Sequence, residues 1–279
     1  MNTFPQRTLV GCNSPRLYFA ASNTLLRDDS RSALFVPPET AHVWAFELTS
    51  DRSEVSAFLD TLSADEVARS RRLMRQEDCT NFIVAHGVLR NILARYCGVK
   101  PVDLCFSKGK AGKPLVEPSR RMSICPAFNM THSAGRALVA IHGSGDVGID
   151  LEHEQERLDP VSIAARHFRR SELEEILASP ESERRAVFLR FWVAKEAVLK
   201  AFGVGIDDSF DKINLCWDAE GLSASVASFG SDHTDACWTV RPLVCGPGWH
   251  AAIAARSRAW TISTQDISGF CQTESSANA

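Results

Sequence analysis

Asp150 and Glu152 close an apolar, β-branched run, Val147-Gly148-Ile149, and that pairing constrains the local fold more than any other stretch of the 279 residues. The run reads as a strand, in which side chains i and i+2 share a face, so the two carboxylates point the same way. A charge at the end of such a run is costly to bury unless something compensates it. Downstream, Phe188, Leu189, Phe191, Ala194, Val198, Leu199 and Phe202 recur at helical spacing. Trp192, Glu196 and Lys200 then line another face of that helix, each one turn from the next.

Taken alone, each pattern is ordinary: a solvated sheet face, and a Glu–Lys helix pair contributing ~0.3–0.5 kcal/mol. Together, three carboxylates and a lysine imply a metal and a phosphate. An oxygen-only set without Cys or His favours magnesium over zinc, and magnesium keeps waters and a substrate phosphate. Upstream, Phe128-Asn129-Met130-Thr131-His132-Ser133-Ala134-Gly135-Arg136 reads as a polar loop offering hydroxyls, an imidazole and backbone N–H groups to phosphate oxygens. Lys108-Gly109-Lys110-Ala111-Gly112-Lys113-Pro114 places three lysines on a Gly-rich turn without the order of a P-loop.

The ordered set Gly112-Lys113-Pro114, Phe128 to Ser133, Gly148-Ile149-Asp150-Leu151-Glu152 and Trp192-x-x-Lys195-Glu196-Ala197-x-x-Lys200 resembles the 4′-phosphopantetheinyl transferases of the surfactin-synthetase-activating type. The match spans roughly residues 43 to 265, and Ile163 to Leu173 is similar to the family's helix and turn between the last two motifs.

The resemblance implies an α+β fold of two similar α/β halves related by a pseudo-twofold axis, with the active site at their interface. It implies transfer of 4′-phosphopantetheine from coenzyme A to a serine of an apo acyl or peptidyl carrier protein, releasing adenosine 3′,5′-bisphosphate. Asp150, Glu152 and Glu196 would hold Mg²⁺, or Mn²⁺ in its place; Glu196 and Lys200 would be catalytic; Lys113, Thr131 and His132 would clasp the nucleotide. Thr131 stands where serine is usual. Arg69 and Arg72 are the best matches for basic residues holding the 3′-phosphate, while Glu66 and Asn81 occupy positions where Lys or Arg is expected. The competing classes are a coenzyme A or carrier-binding protein that lost catalysis, and another metal-dependent phosphodiester-cleaving enzyme.

Along the chain, residues 1–41 read as a flexible extension, 42–146 as an N-terminal half, 147–268 as a C-terminal half with the metal and catalytic motifs, and 269–279 as a disordered tail. Expected elements are a strand over His42 to Leu48, helices over Glu54 to Leu62, Glu77 to Tyr96 and Val161 to His167, and strands near Ile213 to Trp217, Trp238 to Leu243 and Trp249 to Ala255. Ser63 with Glu66, and Ser171-Glu172, read as helix caps. The apolar run Ala137 to Ile141 expects Val147-Gly148-Ile149 as its returning partner. Phe82 to Ala85 and Val88-Leu89-Arg90 echo Phe191 to Ala194 and Val198-Leu199-Lys200, a faint internal duplication with one gap.

A net charge of −3 argues against nucleic-acid binding. Nine cysteines without CxxC spacing fit a reducing compartment, and no apolar stretch reaches membrane-spanning length. These readings place the protein in the cytoplasm, as a monomer whose two halves complete one cleft. Three arginines and no acid in residues 1–27 leave organellar import as the alternative.

Overall fold

The first sheet is buried on both faces of its central strands in the computed structural model, which describes residues 14–22, 34–120, 122, 125–154, 159–204, 210–217, 224–226, 238–256 and 260–265. Its centre is β2 (Thr40–Glu47), antiparallel to β6 (Arg136–His142), which pairs in turn with β5 (Ala127–Ser133). The short β1 (Ala20–Ala21) runs parallel to one end of β2. Three helices and a small hairpin follow β2: α1 (Arg52–Leu59), α2 (Ala64–Ser70), the long α3 (Gln76–Cys97), and β3 (Phe106–Lys108) paired with β4 (Pro114–Val116). Trp44, Phe46, Phe58, Ile92 and Phe128 form the core between this sheet and α3.

The second sheet begins with β7 (Val147–His153). Three helices follow, α4 (Pro160–His167), α5 (Arg170–Ala178) and α6 (Arg184–Phe202), and then β8 (Leu215–Trp217), β9 (Ala224–Val226), β10 (Thr239–Leu243) and β11 (Trp249–Ala255), in sheet order β7-β11-β10-β9-β8. A core of Phe188, Phe191, Phe210 and Trp238 lies between α6 and this sheet, and a third cluster, including Val43, Leu138, Ile149 and Ile253, joins the two sheets. This is the α+β architecture expected. No helix among the described residues is long and apolar enough to cross a membrane.

Several readings change. The stretch read as a polar loop is β5: Phe128 and Met130 pack on the core while Asn129, Thr131 and Ser133 share the other face, so its polarity is one side of an alternating strand. Val147 to Ile149 is not the pairing partner of β6 but pairs with β11 in the other sheet. Asp51 starts α1 earlier than expected through a capping box with Glu54, and the N-cap of α5 is Arg169, whose backbone N–H donates to Glu172. The Ser63–Glu66 capping box is present.

Residues 14–22 and 34–41, read as part of a flexible extension, belong to the fold. Leu17 and Val244 N–H groups bond to Val244 and Pro15 carbonyls at 2.8 and 2.9 Å, and Val36 is buried. β12 (Thr261–Gln265), read as part of the C-terminal half, crosses back and runs parallel to β2 in the first sheet. The tail from 269 lies outside the described residues.

The internal echo is structural, with its register shifted. Arg90 of α3 is buried, donates to Glu66 (2.8 Å) and reaches the carbonyls of Pro101 and Leu104. Lys195 of α6 is buried, pairs with Glu172 (2.7 Å) and reaches the carbonyls of Phe210 and Ile213. Each cation sits at the same distance before its helix-ending left-handed glycine, Gly98 or Gly203. Arg90 therefore corresponds to Lys195, not to Lys200 as the sequence echo has it. Each buried cation is matched by a capping-box glutamate and two carbonyls, which is what makes its burial tolerable.

Candidate active site

Two strands from different sheets build the site without sharing a backbone ladder. Ala134 (φ 41) and Gly135 (φ 80) make the tight turn between β5 and β6, a conformation suited to a two-residue hairpin that fixes which β5 side chains face outward. Asn129, Thr131 and Ser133 then meet β7 residue by residue. Asn129 Oδ1 accepts the Ile149 N–H at 2.9 Å, on the edge of β7 away from β11; Thr131 Oγ1 donates to Asp150 Oδ1 at 3.1 Å; Ser133 Oγ donates to Glu152 Oε2 at 3.1 Å. Asp150 and Glu152 share one face, as the strand period requires.

Helix α6 supplies the rest. It crosses β7 at Gly148, where an added Cβ would lie 2.0 Å from the Ala197 carbonyl oxygen and 2.4 Å from the Ala201 nitrogen. That contact sets Glu196 and Lys200 against Asp150. Lys200 Nζ donates to Asp150 Oδ1 at 2.6 Å and to Thr131 Oγ1 at 3.3 Å. Glu196, 4 % exposed, has its carboxyl pushed up to about 7, chiefly by burial and then by the Asp150 charge, with Lys200 acting against both.

Two oxygens in this cluster, Asp150 Oδ2 and Glu196 Oε1, are buried and find no hydrogen-bond partner among the described residues. Unpaired, mutually repelling carboxylate oxygens in a low-dielectric site are the donor chemistry of a hard divalent cation, so Asp150 and Glu196 fit the expected magnesium. The expected three-acid set is not gathered: among the described residues no group of three His, Cys, Asp or Glu converges on one point, and Glu152 is engaged by Ser133.

The remaining expected residues separate into two groups. Thr131 belongs to the acidic centre, bridging Lys200 and Asp150. Lys113 is turned inward, donating to the Val147 and Ala201 carbonyls at 3.1 and 3.0 Å and lying 3.8 Å from Asp146, so it ties the β3–β4 hairpin to β7 and to the C-terminal end of α6. Its pKa lies below the usual lysine value because burial outweighs Asp146. His132 keeps an exposed edge while its ring is partly enclosed, and its pKa is lowered first by that enclosure and then by the positive fields of His86 and Lys200. Arg69 and Arg72 are exposed on and just after α2; the Arg69 guanidinium lies 5.3 Å from the Phe82 ring centre.

The sequence reading gave no role to the α2–α3 network beside these residues. Phe82 stacks on His86 (3.9 Å between ring centres), and His86 Nδ1 is 3.3 Å from Glu66 Oε1. Glu66 is held at about 2: its burial is outweighed by bonds from His86 and the Ser63 backbone and by Arg90. This explains the acid where a phosphate-binding cation was expected, because Glu66 caps α2 and neutralises Arg90. The signal was the capping box together with an arginine on the apolar face of α3.

The comparisons with known proteins agree with this geometry. A model of the 4′-phosphopantetheinyl transferase superfamily matches residues 146–254, the stretch containing Asp150, Glu152, Glu196 and Lys200. The 4′-phosphopantetheinyl transferase HetI of Nostoc sp. is 36% identical over 168 residues, covering 60% of this chain and 70% of the relative. The 4′-phosphopantetheinyl transferase Sfp of Bacillus subtilis is 25% identical over 206 residues, covering 73% of this chain and 86% of the relative. With most of a relative of that identity aligned, and the four motifs meeting where β5, β7 and α6 converge, this chain belongs to the 4′-phosphopantetheinyl transferase superfamily.

Proposed function

We propose that the protein transfers the 4′-phosphopantetheine group of coenzyme A to the serine hydroxyl of an apo acyl or peptidyl carrier protein, in a Mg²⁺-dependent reaction that releases adenosine 3′,5′-bisphosphate. The observation that carries the metal-dependent reading is the pair of buried, unpartnered carboxylate oxygens on Asp150 and Glu196. Asp150 and Glu196 would hold the ion, which when bound draws charge from the pyrophosphate, while Glu152, two residues along the same strand face, is bonded to Ser133.

The carrier serine Oγ attacks the β-phosphorus. A new P–O bond forms, and the bond from that phosphorus to the bridging oxygen breaks, its electron pair leaving with the nucleotide's 5′-phosphate. Glu196, with a carboxyl near neutrality, accepts the serine proton directly or through a water, a role that contributes ~10²–10⁴-fold in such reactions. The Lys200 ammonium, fixed by Asp150 and Thr131, would stabilise charge on the phosphates. His132, with Arg69 and Arg72 on the α2 side, receives the nucleotide. Lys113 supports this role as a positioning residue, by holding the hairpin against α6.

Intact-mass measurement on a panel of apo-carrier proteins, incubated with the protein, coenzyme A and Mg²⁺, tests this reading. A serine-dependent gain of one phosphopantetheine, absent with Glu196→Gln, is expected. Coenzyme A binding without any gain on any carrier would instead identify a binding protein, and nucleotide release without a carrier would identify a hydrolase.

A further inference from the structure

The groups given to the cation and those given to the nucleotide stand on different halves of the fold. Asp150, Glu196 and Lys200 belong to β7 and α6, set against one another by the crossing at Gly148. His132, Arg69 and Arg72 belong to β5 and to α2 or the residues just after it. The spacing between the two sets is therefore a property of how β5 lies against β7.

Among the described residues β5 and β7 are the edge strands of their sheets. An edge presents backbone groups that no ladder satisfies. On β7 side chains of the first half meet them: the Ile149 N–H donates to Asn129 Oδ1 at 2.9 Å, and two residues earlier, along the same edge, the Val147 carbonyl accepts from Lys113 Nζ at 3.1 Å. Thr131 and Ser133, which share the outward face of β5 with Asn129, bond instead to carboxylate oxygens that can swing with their side chains. Of these three residues Asn129, 7 % exposed, grips the β7 backbone and so fixes where the strand itself lies. Without that acceptor a buried N–H is left unpaired, and β7 gains by moving toward another partner.

We propose that Asn129 is a positioning residue for coupled binding: by holding the Ile149 N–H it keeps the cation-holding acids of β7 and α6 in register with the nucleotide-receiving groups of the first half, so that the metal and coenzyme A strengthen each other. The proposal rests on the transferase reading for its two ligands, and Asn129 acts through the strand and not on either of them. An ion on one half that meets a polyphosphate held by the other couples the two sites only while the halves keep their register, and that coupling is reciprocal.

The test uses the full chain, with coenzyme A and Mg²⁺ as probes. Calorimetry measures coenzyme A affinity in chelator and in saturating Mg²⁺ for the wild type, for Asn129→Leu, which removes the acceptor at nearly constant shape, and for Asn129→Asp, which keeps it. Mg²⁺ should tighten coenzyme A by about tenfold or more in the wild type; Asn129→Leu should lose most of that factor while its affinity in chelator stays within about twofold, and Asn129→Asp should retain it. Amide exchange at Ile149, read with neither ligand present, should be slow in the wild type and Asn129→Asp and fast in Asn129→Leu. Leu93→Ala, in the buried α3 core and in a different cluster from the β7 residues, controls for lost stability and should leave the factor unchanged. If Mg²⁺ does not tighten coenzyme A in the wild type, the metal-dependent reading and this proposal fail together. A factor that survives in Asn129→Leu, or that is lost equally in Leu93→Ala or Asn129→Asp, overturns this proposal alone.

Discussion

Replacing Glu196 by glutamine should stabilise the metal-free protein, the opposite of the usual effect of altering a buried side chain. The native carboxyl is raised from 4.5 to about 7 by burial and by Asp150, so between those values the folded chain keeps a proton that the unfolded chain has lost. Stability from this group is complete below about pH 4.5, falls as pH rises through the window, and levels off above about 7. At ~1.4 kcal/mol per pH unit, ionised Glu196 costs an upper limit of about 3 kcal/mol above neutrality. The isosteric Glu196→Gln removes that cost, so at pH 8 in chelator its melting temperature should exceed the wild type's by on the order of 5–10 °C, the gap closing as pH drops toward 4.5. Mg²⁺ should raise the wild-type melting temperature at pH 8 and have little effect on the variant, because the cation compensates the charge that the variant lacks. Paired thermal melts from pH 4.5 to 8, with and without Mg²⁺, measure both effects. Equal stability of the two proteins at pH 8 in chelator would refute an uncompensated buried carboxylate at this position, and with it the physical basis of the proposed metal site.

Lys195→Met should cost about 3–5 kcal/mol in urea denaturation, because Glu172 and two carbonyls lose a fully buried partner; adding Glu172→Gln should recover part of the loss, and simple additivity would argue against the pairing. Gly148→Ala should displace α6 from β7, since the new methyl meets the Ala197 carbonyl and the Ala201 backbone, not a side chain that can rotate away; a variant with native stability and turnover would contradict the close approach. Asp150→Ala should abolish turnover at any practical Mg²⁺ concentration while circular dichroism stays native, whereas Lys200→Ala should reduce kcat more than it weakens coenzyme A binding. An effect of Lys200→Ala confined to binding would reduce the lysine to a phosphate anchor.

The sequence shows the second half more clearly than the first. β7, β10 and β11 fall within a residue or two of expectation, and α6 ends where expected, at Phe202, but begins four residues before the first periodic residue, Phe188. β5 was misread because its outward face is polar for a reason outside itself: Asn129, Thr131 and Ser133 are spent on β7, and no local pattern announces a partner in another sheet. The crossing of β12 into the first sheet is equally non-local. Motif order singled out Asp150, Glu196 and Lys200, which the fold brings together, but not the contacts around them. That Lys113 faces backbone carbonyls and that Glu66 neutralises Arg90 depends on where chain ends and helix caps meet, which spacing alone does not encode.

The repeated cation lock bears on why the proposed chemistry would sit on only one of two similar helices. α3 and α6 are anchored alike, by Arg90 on Glu66 and by Lys195 on Glu172, so each half carries the same rigid helix. One residue beyond the lock, α6 has Glu196 where α3 has Asn91, whose amide is used on the Gly87 carbonyl of its own helix. A neutral amide there needs no counter-charge. Glu196 does need one, and it faces a strand that adds Asp150 instead of supplying it. Lys200 satisfies one oxygen of Asp150 and leaves the other, with Glu196 Oε1, unpaired. The fold therefore tolerates at α6 an electrostatic deficit that it avoids at α3, and the deficit lies where β5 of one sheet meets β7 of the other. A site proposed to bind a cation and a polyphosphate together would gain from being under-neutralised beforehand, because the ion would then relieve a repulsion already built into the protein and would not displace a completed network.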